Sequence, residues 1–354
     1  MAGRTGDDEV EPMIEIGSST IGAGAKPYLI AEVGINAWTD RRLAKRFIEV
    51  AAEAGADAVK FQTHIADAEM VESAMNEVGA GEVYETVREC EWSVEDHEEL
   101  QSHASENGVA FLSTPFSVEA VEILEAIDVP AIKIGSGELS NRELLARAGE
   151  TGKPLLVSTG MHTEEEIAEA CAFIDDVAAD FALFYCVSEY PTTAADFDFG
   201  TIDRLRELAS VPIGFSDHST GAEAAKVAIG NGAAMVEKHF TIDRRLPGPD
   251  QSVSVEPDTF EDLSSFARLY HETSGQKDGL QGEEAAVKSW AEHSIVASRD
   301  IEPGESFSKE NLTTKRPGTG IPAREYFTVL DEKAAERIRA GELIADDQID
   351  RETD

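Results

Sequence analysis

The stretch PIGFSDHSTGAEAAKVAIGNGAAMVEKH, residues 212–239, decides the fold. It opens on a short apolar run ending at Ser216, passes through an alanine-rich segment, and closes on a second run, Ala234-Met-Val-Glu-Lys-His239. Two β-length runs separated by a helix-length segment make one βαβ unit, whose strands lie parallel. The same alternation recurs outward along the chain. Eight runs, at 28–33, 58–62, 109–113, 131–135, 155–159, 182–187, 213–216 and 234–239, end mostly 22 to 29 residues apart. Gln62 and Ser113 are 51 residues apart, which predicts an inserted loop at 66–91 acting as a lid or substrate loop. Eight such units predict an α/β protein built on a closed (β/α)8 TIM barrel rather than a doubly wound sheet. No Gly-x-Gly-x-x-Gly follows the first run, so a dinucleotide fold lacks its signature.

Between the runs, Leu43, Phe47, Val50 and Ala54 share one helical face, and Gly55 is placed to end that helix. Ser140 with Glu143, Thr163 with Glu166, and Thr220 with Glu223 read as capping boxes. After about residue 285 the pattern changes to short elements punctuated by Pro and Gly, including Asp300-Ile-Glu-Pro-Gly304. That change predicts a small β-rich domain. The barrel domain is expected over 13–284 and the second domain over 290–354, with the linker at 275–284.

Composition removes several classes of function. Lys and Arg number 30 against 70 Asp and Glu among 354 residues, a formal net charge of −40. A phosphate backbone needs a basic face, so nucleic acid is not an expected partner, and neither is an anionic membrane. Hydrophobic residues make up 42%, enough for a sizeable core, but no apolar run approaches the roughly 20 residues of a membrane span. The first residues lack a charged-then-apolar signal pattern, and the three cysteines are scattered and odd in number. Both features point to the cytoplasm. The acidic excess is spread along helices rather than gathered in a tail, which fits a halophilic protein solvated in a high-salt cytoplasm.

Barrels of this kind carry their chemistry at the C-terminal ends of the strands. The runs end on polar residues one after another: Glu32, Lys60 and Gln62, Ser113 and Thr114, Lys133 and Ser136, Ser158 and Thr159, Tyr190, Ser216 with His218, and Glu237 with His239. Side chains alternate faces along a strand, so Lys60 shares a face with Gln62 and Glu237 with His239, while Lys238 points toward the helices. Adjacent strands lie about 4.8 Å apart, close enough for His218 and His239 to converge on one cation. Two imidazoles with a carboxylate and open positions suit a divalent metal, with Glu237 and Asp250 orienting the ligands or a bound water. The other six histidines are expected at the surface. Lys60 and Lys133 need anions beside them, either internal partners such as Glu32 or Glu138 or an anionic substrate. Gly135-Ser-Gly137 and Ser158-Thr-Gly160 offer hydroxyls and N–H groups suited to phosphate.

Taken together, Ile30-Ala-Glu-Val-Gly-Ile-Asn36, Ala58-Val-Lys-Phe-Gln-Thr63, Leu112-Ser-Thr-Pro-Phe116, Lys133-Ile-Gly-Ser-Gly-Glu138, Ser158-Thr-Gly-Met161, Ser188-Glu-Tyr-Pro191, Gly214-Phe-Ser-Asp-His218, Glu237-Lys-His-Phe-Thr241 and Pro247-Gly-Pro-Asp250 resemble the sialic acid synthase family. Arg316-Pro-Gly-Thr-Gly-Ile-Pro322 resembles that family's C-terminal antifreeze-like (SAF) domain. The resemblance covers roughly residues 13–350. It implies a transferase that condenses phosphoenolpyruvate with an N-acylated hexosamine such as N-acetylmannosamine, releasing phosphate by C–O cleavage. Legionaminic or pseudaminic acid synthesis from a diacetamido-dideoxyhexose is the alternative within the family. By the same resemblance, Lys60, Lys133, Ser136, Ser158, Ser188 and Ser216 would bind phosphoenolpyruvate. Gln62, Tyr190, Glu237 and Asp250 would meet the sugar, and Glu32 near Asp250 would act as acid and base. His218 and His239 would hold a divalent metal, manganese first, then magnesium or cobalt. Arg316 would reach the sugar's acyl group from the partner in a domain-swapped homodimer. After Asn36, many relatives continue His-Asn-Gly where this chain has Ala37-Trp38-Thr39, and Val187-Ser188 stands where Thr followed by Asn or Ser is common. Outside that family, a Schiff-base aldolase using Lys133 or Lys60, or a non-catalytic ligand-binding module, would use the same barrel.

Overall fold

The structure, a computed structural model, describes residues 12–178, 180–275 and 279–351. The chain divides after Gly275 into two compact units. The first opens with a hairpin, β1 (Met13–Ile16) and β2 (Ser19–Gly22). Eight parallel strands follow: β3 (Tyr28–Gly34), β4 (Ala58–Thr63), β5 (Ala110–Pro115), β6 (Ile132–Ile134), β7 (Leu155–Ser158), β8 (Phe181–Cys186), β9 (Ile213–Asp217) and β10 (Met235–His239). They pair in chain order, and β10 closes onto β3. The (β/α)8 barrel read from the eight runs is therefore the fold.

Helices alternate with the strands: α1 (Arg41–Glu53), α2 (Ala66–Glu69), α3 (Glu72–Glu77), α4 (Gly81–Glu89), α5 (Val94–Glu106), α6 (Val118–Ala126), α7 (Arg142–Glu150), α8 (Glu164–Val177), α9 (Gly200–Leu208), α10 (Glu223–Gly230) and α11 (Pro257–Thr273). The insert at 66–91 is not an open loop, since α2, α3 and α4 fill most of it. Helix α1 buries Ala44, Phe47, Ile48, Val50 and Ala51 and ends before Gly55, whose φ of +88° suits glycine. Of the three expected capping boxes, only Thr163 with Glu166 forms. Asn141 replaces Ser140 as the cap of α7, and α10 starts at Ala222 without a side-chain cap. A box not foreseen, Ser93 with Asp96, caps α5.

Two apolar layers follow from strand alternation. Leu29, Ala31, Val33, Val59, Phe61, Phe111 and their neighbours face outward to the helices. Tyr28, Ile30, Ala58, Leu112, Leu156, Ala182, Phe184 and Met235 face inward, packed with Ile14, Ile16 and Ile21 of the hairpin. The hairpin thus covers the N-terminal end of the barrel. It was missed in the sequence because its strands are four residues long and precede the repeating units.

The second unit opens with α12 (Glu284–Ala291). Strand β11 (Ser294–Ala297) pairs antiparallel with β12 (Leu312–Lys315), and β13 (Lys333–Ala334) pairs with β14 (Ile349–Asp350). A single-turn helix, α13 (Tyr326–Val329), lies between β12 and β13. Ile295, Ile301, Phe307, Ile338 and Ile344 form its core. No helix among the described residues is long and apolar enough to cross a membrane.

Candidate active site

The inward apolar layer continues, two residues further along each strand, as a polar one. Ile30 leads to Glu32, Ala58 to Lys60 and Gln62, Leu112 to Thr114, Leu156 to Ser158, and Met235 to Glu237 and His239. Parallel register levels these positions. His239 lies opposite Glu32, Glu32 opposite Lys60, and Glu237 opposite Ser216. The sequence pattern alone therefore builds a titratable ring at the C-terminal mouth of a dry barrel.

Two ammonium groups and two carboxylates form its centre, all nearly fully buried. Lys60 Nζ lies 2.9 Å from Glu32 Oε2 and 3.6 Å from Glu237 Oε1, and donates to Thr114 Oγ1 at 2.9 Å. Lys133 Nζ lies 3.9 Å from Glu237 Oε2 and donates to Ser158 Oγ at 2.6 Å. Burial alone would raise the Glu237 carboxyl, but Lys133 and Lys60 together hold it well below the ordinary range. Glu32 goes the other way: burial outweighs Lys60 and lifts its carboxyl to about 7. Two carboxylates in one site are thus pushed apart, one kept ionised and one able to exchange a proton near neutrality. Burial also lowers the Lys133 ammonium. Lys60 stays above its ordinary value because Glu237 and Glu32 overcome the burial that would lower it. Lys238, between Glu237 and His239, faces outward and pairs with Asp217 Oδ2 at 3.3 Å.

The two imidazoles stand together, with ring centroids 5.5 Å apart. His218 Nδ1 faces Val187 O at 2.8 Å and Nε2 faces Tyr190 Oη at 3.1 Å, with the Tyr190 ring stacked on it. A backbone carbonyl on Nδ1 fixes the tautomer that leaves Nε2 as an electron-pair donor. His239 Nδ1 is buried without a hydrogen-bond partner, 3.8 Å from Asp250 Oδ2. Burial drops the His239 imidazole to about 3, so it is neutral and able to ligate. Among the described residues no three His, Cys, Asp or Glu side chains converge as a ready-made metal cage. The chemistry of this donor pair fits a divalent ion held by two imidazoles with its other positions open.

The serines gather on the Lys133 side. Gly160 N donates to Ser136 Oγ at 3.0 Å, and a Cβ added at Gly160 would meet Ser188 Oγ at 2.4 Å and Ser136 Oγ at 2.8 Å. Glycine is what lets these hydroxyls close on one turn. Ser216 Oγ donates to Glu237 Oε1 at 3.2 Å. On the opposite side, Gln62 Nε2 donates to Glu32 Oε1 at 3.2 Å. The Gln62 amide oxygen faces His64 Nε2 at 2.9 Å, and His64 Nδ1 faces Glu69 at 3.0 Å. Beyond Gln62 opens a cavity of about 510 Å³ walled by the insert, α6 and α7.

Several expected positions turn out differently. Ser113 faces outward, bonded at 2.7 Å to Thr63, which also meets His97 at 2.8 Å. His64 and His97 are buried rather than on the surface. Arg316 lies in the second unit, as its place in the sequence implies; within one chain its Nε donates to Ala291 O at 2.9 Å and its guanidinium stacks over Trp290, and its expected reach into a partner's site involves a second copy. Sequence reading also passed over Asn36 as a site residue. Its side chain accepts from Asp250 N at 3.1 Å and donates to Ser254 at 3.1 Å, tying the loop that carries Asp250 to β3. Trp38, at the departure from the common motif, donates to Pro247 O at 3.3 Å and braces the same loop. The signal was a buried amide ending an apolar run.

A closed parallel barrel with lysines, carboxylates and imidazoles massed at its C-terminal mouth places the protein among the (β/α)8 barrels, with its polar cluster at the end where enzymes of this fold carry their active sites. The NeuB family profile matches residues 47–279 and the SAF domain profile residues 292–350, and the chain belongs to the NeuB family. Over 90% of its length it is 36% identical to an uncharacterised protein of Methanocaldococcus jannaschii, 94% of which is covered. It is 34% identical, again over 90% of its length, to the N,N'-diacetyllegionaminic acid synthase of Campylobacter jejuni, 99% of which is covered. The structure of an N-acetylneuraminic acid (sialic acid) synthetase from Leptospira borgpetersenii superposes with a TM-score of 0.72 at 31% identity, over 78% of this chain and 96% of that one.

Proposed function

We propose that the protein is a nonulosonic acid synthase, which joins phosphoenolpyruvate to an N-acylated hexosamine and releases phosphate by C–O cleavage. The observation that carries this reading is the meeting of Lys60 and Lys133, both buried, around Glu237 beside His218 and His239. Two ammonium groups against hydroxyls suit a carboxylate and a phosphate on one small molecule. Lys60, Lys133, Ser136, Ser158, Ser188 and Ser216 bind phosphoenolpyruvate in this account. Glu32, with its carboxyl raised to about 7, passes a proton between water and the sugar oxygen, and Asp250 stands across from it. Gln62, Tyr190 and Glu237 orient the sugar. His218 and His239 hold a divalent ion, manganese, magnesium or cobalt, which when bound supplies Lewis-acid polarisation of the open-chain aldehyde. The name of the Campylobacter relative favours a diacetamido-dideoxyhexose alongside N-acetylmannosamine as acceptor. Arg316 completes the acyl contact from a second copy of the chain.

The test is incubation with phosphoenolpyruvate, manganese and a panel of N-acyl hexosamines at high salt. The reading expects phosphate and a nine-carbon acid in equal amounts, both abolished by EDTA. A lysine adduct trapped by borohydride, with EDTA harmless, would move the assignment to a Schiff-base aldolase.

A further inference from the structure

The cavity beyond Gln62 has a charge pattern that its place in the site makes informative. Four carboxylates line it: Glu69 from the insert, Glu119 at the start of α6, Glu138, and Glu143 at the start of α7. Among the described residues no lysine or arginine lines it, and the one basic side chain there, His64, is already taken by Glu69 at 3.0 Å and Gln62 at 2.9 Å. Among the described residues Glu138 has no ion-pair partner. It accepts only from Asn141, at 3.3 Å, and burial raises its carboxyl. Gln62, Ser117 and Asn141 add neutral polar groups, and Met70, Val83 and Val87 of the insert form an apolar side with Phe116, whose ring stacks on His64 at 4.3 Å.

A sugar whose aldehyde lies at Glu32 and the two imidazoles extends its far end past Gln62 into this space. The acylamido group next to the aldehyde is the one given to Arg316 above. At the far end a second acylamido group, as in a diacetamido-dideoxyhexose, fits on both counts, since its N–H donates to a carboxylate and its methyl lies on Met70 and the valines. Hydroxyls fit as donors. A phosphate dianion at the far end brings two further negative charges among four carboxylates and meets no lysine or arginine of the described lining, and like charges at such a contact are strongly disfavoured.

We infer that this cavity selects an uncharged acylamido sugar and rejects its phosphate ester, with the 66–91 insert as the specificity element. This inference rests on the synthase reading above. The test compares N-acetylmannosamine, its 6-phosphate and a diacetamido-dideoxyhexose in two assays: phosphoenolpyruvate consumption, and sugar binding by calorimetry with phosphoenolpyruvate present. The neutral sugars should exceed the phosphate ester about 100-fold in kcat/KM. Glu119 and Glu143 are exposed, so Glu119→Lys with Glu143→Lys should fold and narrow that gap about tenfold. Equal use of the phosphate ester, or an unchanged gap in the folded double variant, overturns the inference while leaving the synthase reading intact. If no sugar drives phosphoenolpyruvate consumption, the synthase reading falls and calorimetry decides the inference. Binding of neutral sugars alone supports it, whereas equal binding, or binding of none, overturns it.

Discussion

Gly34 sits at φ +58°, and a Cβ there would lie 2.8 Å from Asp250 Oδ2 and 3.4 Å from Glu32 Oε1. Its glycine is what lets the two carboxylates share one corner. Gly34→Ala is expected to cost about 1–3 kcal/mol in backbone strain and to depress activity by displacing Asp250; denaturant unfolding and kcat check the two effects separately. His64 holds the amide that touches Glu32, so His64→Leu should raise the sugar KM about fivefold, the value of one lost hydrogen bond. The phosphoenolpyruvate KM should stay put, and a rise in both would contradict that role. Glu32 titrates near 7 in the fold but in the ordinary carboxylate range when unfolded. Its contribution to stability is full below that ordinary range and is lost as pH rises toward 7. Glu32→Gln should therefore flatten the fall in stability between pH 5 and 7, and an equal slope in both proteins would contradict the shifted carboxyl.

At the level of elements, the outward-facing Lys238 and Asp217 are both fully buried, and the Lys238 ammonium also donates to the carbonyls of Asp217 and Ser219. The pair ties β9 to β10, and the residues flanking it on the other face are Ser216, His218, Glu237 and His239. Removing one partner strands a buried charge, so Lys238→Met should destabilise by about 3–5 kcal/mol, and adding Asp217→Leu should recover much of it. Denaturation of single and double variants measures both. Barrel strands and their polar ends were legible in the sequence because alternation and an eight-fold repeat are local patterns. What was not legible came from contacts between distant segments. His97 reads as a surface histidine in a helix until Thr63 and Ser113 are seen beside it. Asn36 is no more than the last residue of a motif until the 247–254 loop folds onto it. The insert reads as a loop because its helices are short, and its small core is Ala66, Tyr84 and Val87 with Met70 and Met75 packed against them.

For the molecule as a whole, a net charge of −40 sets the conditions under which the fold holds. Repulsion over the surface is screened as the Debye length falls to about 3 Å at 1 M salt. The Tm should therefore climb by roughly 10 °C or more between 0.1 and 2 M KCl, a shift worth a few kcal/mol for a protein of this size. A flat Tm would mean that the acidic surface has another purpose. The central claim is that the mouth of the barrel breaks the C–O bond of phosphoenolpyruvate while joining it to a sugar. It is tested most directly with phosphoenolpyruvate carrying ¹⁸O at the bridging oxygen, supplied with manganese and an accepted N-acyl hexosamine. The account predicts that the label leaves entirely in the released phosphate, as the nine-carbon acid accumulates. Label retained in the organic product would show P–O cleavage and contradict it.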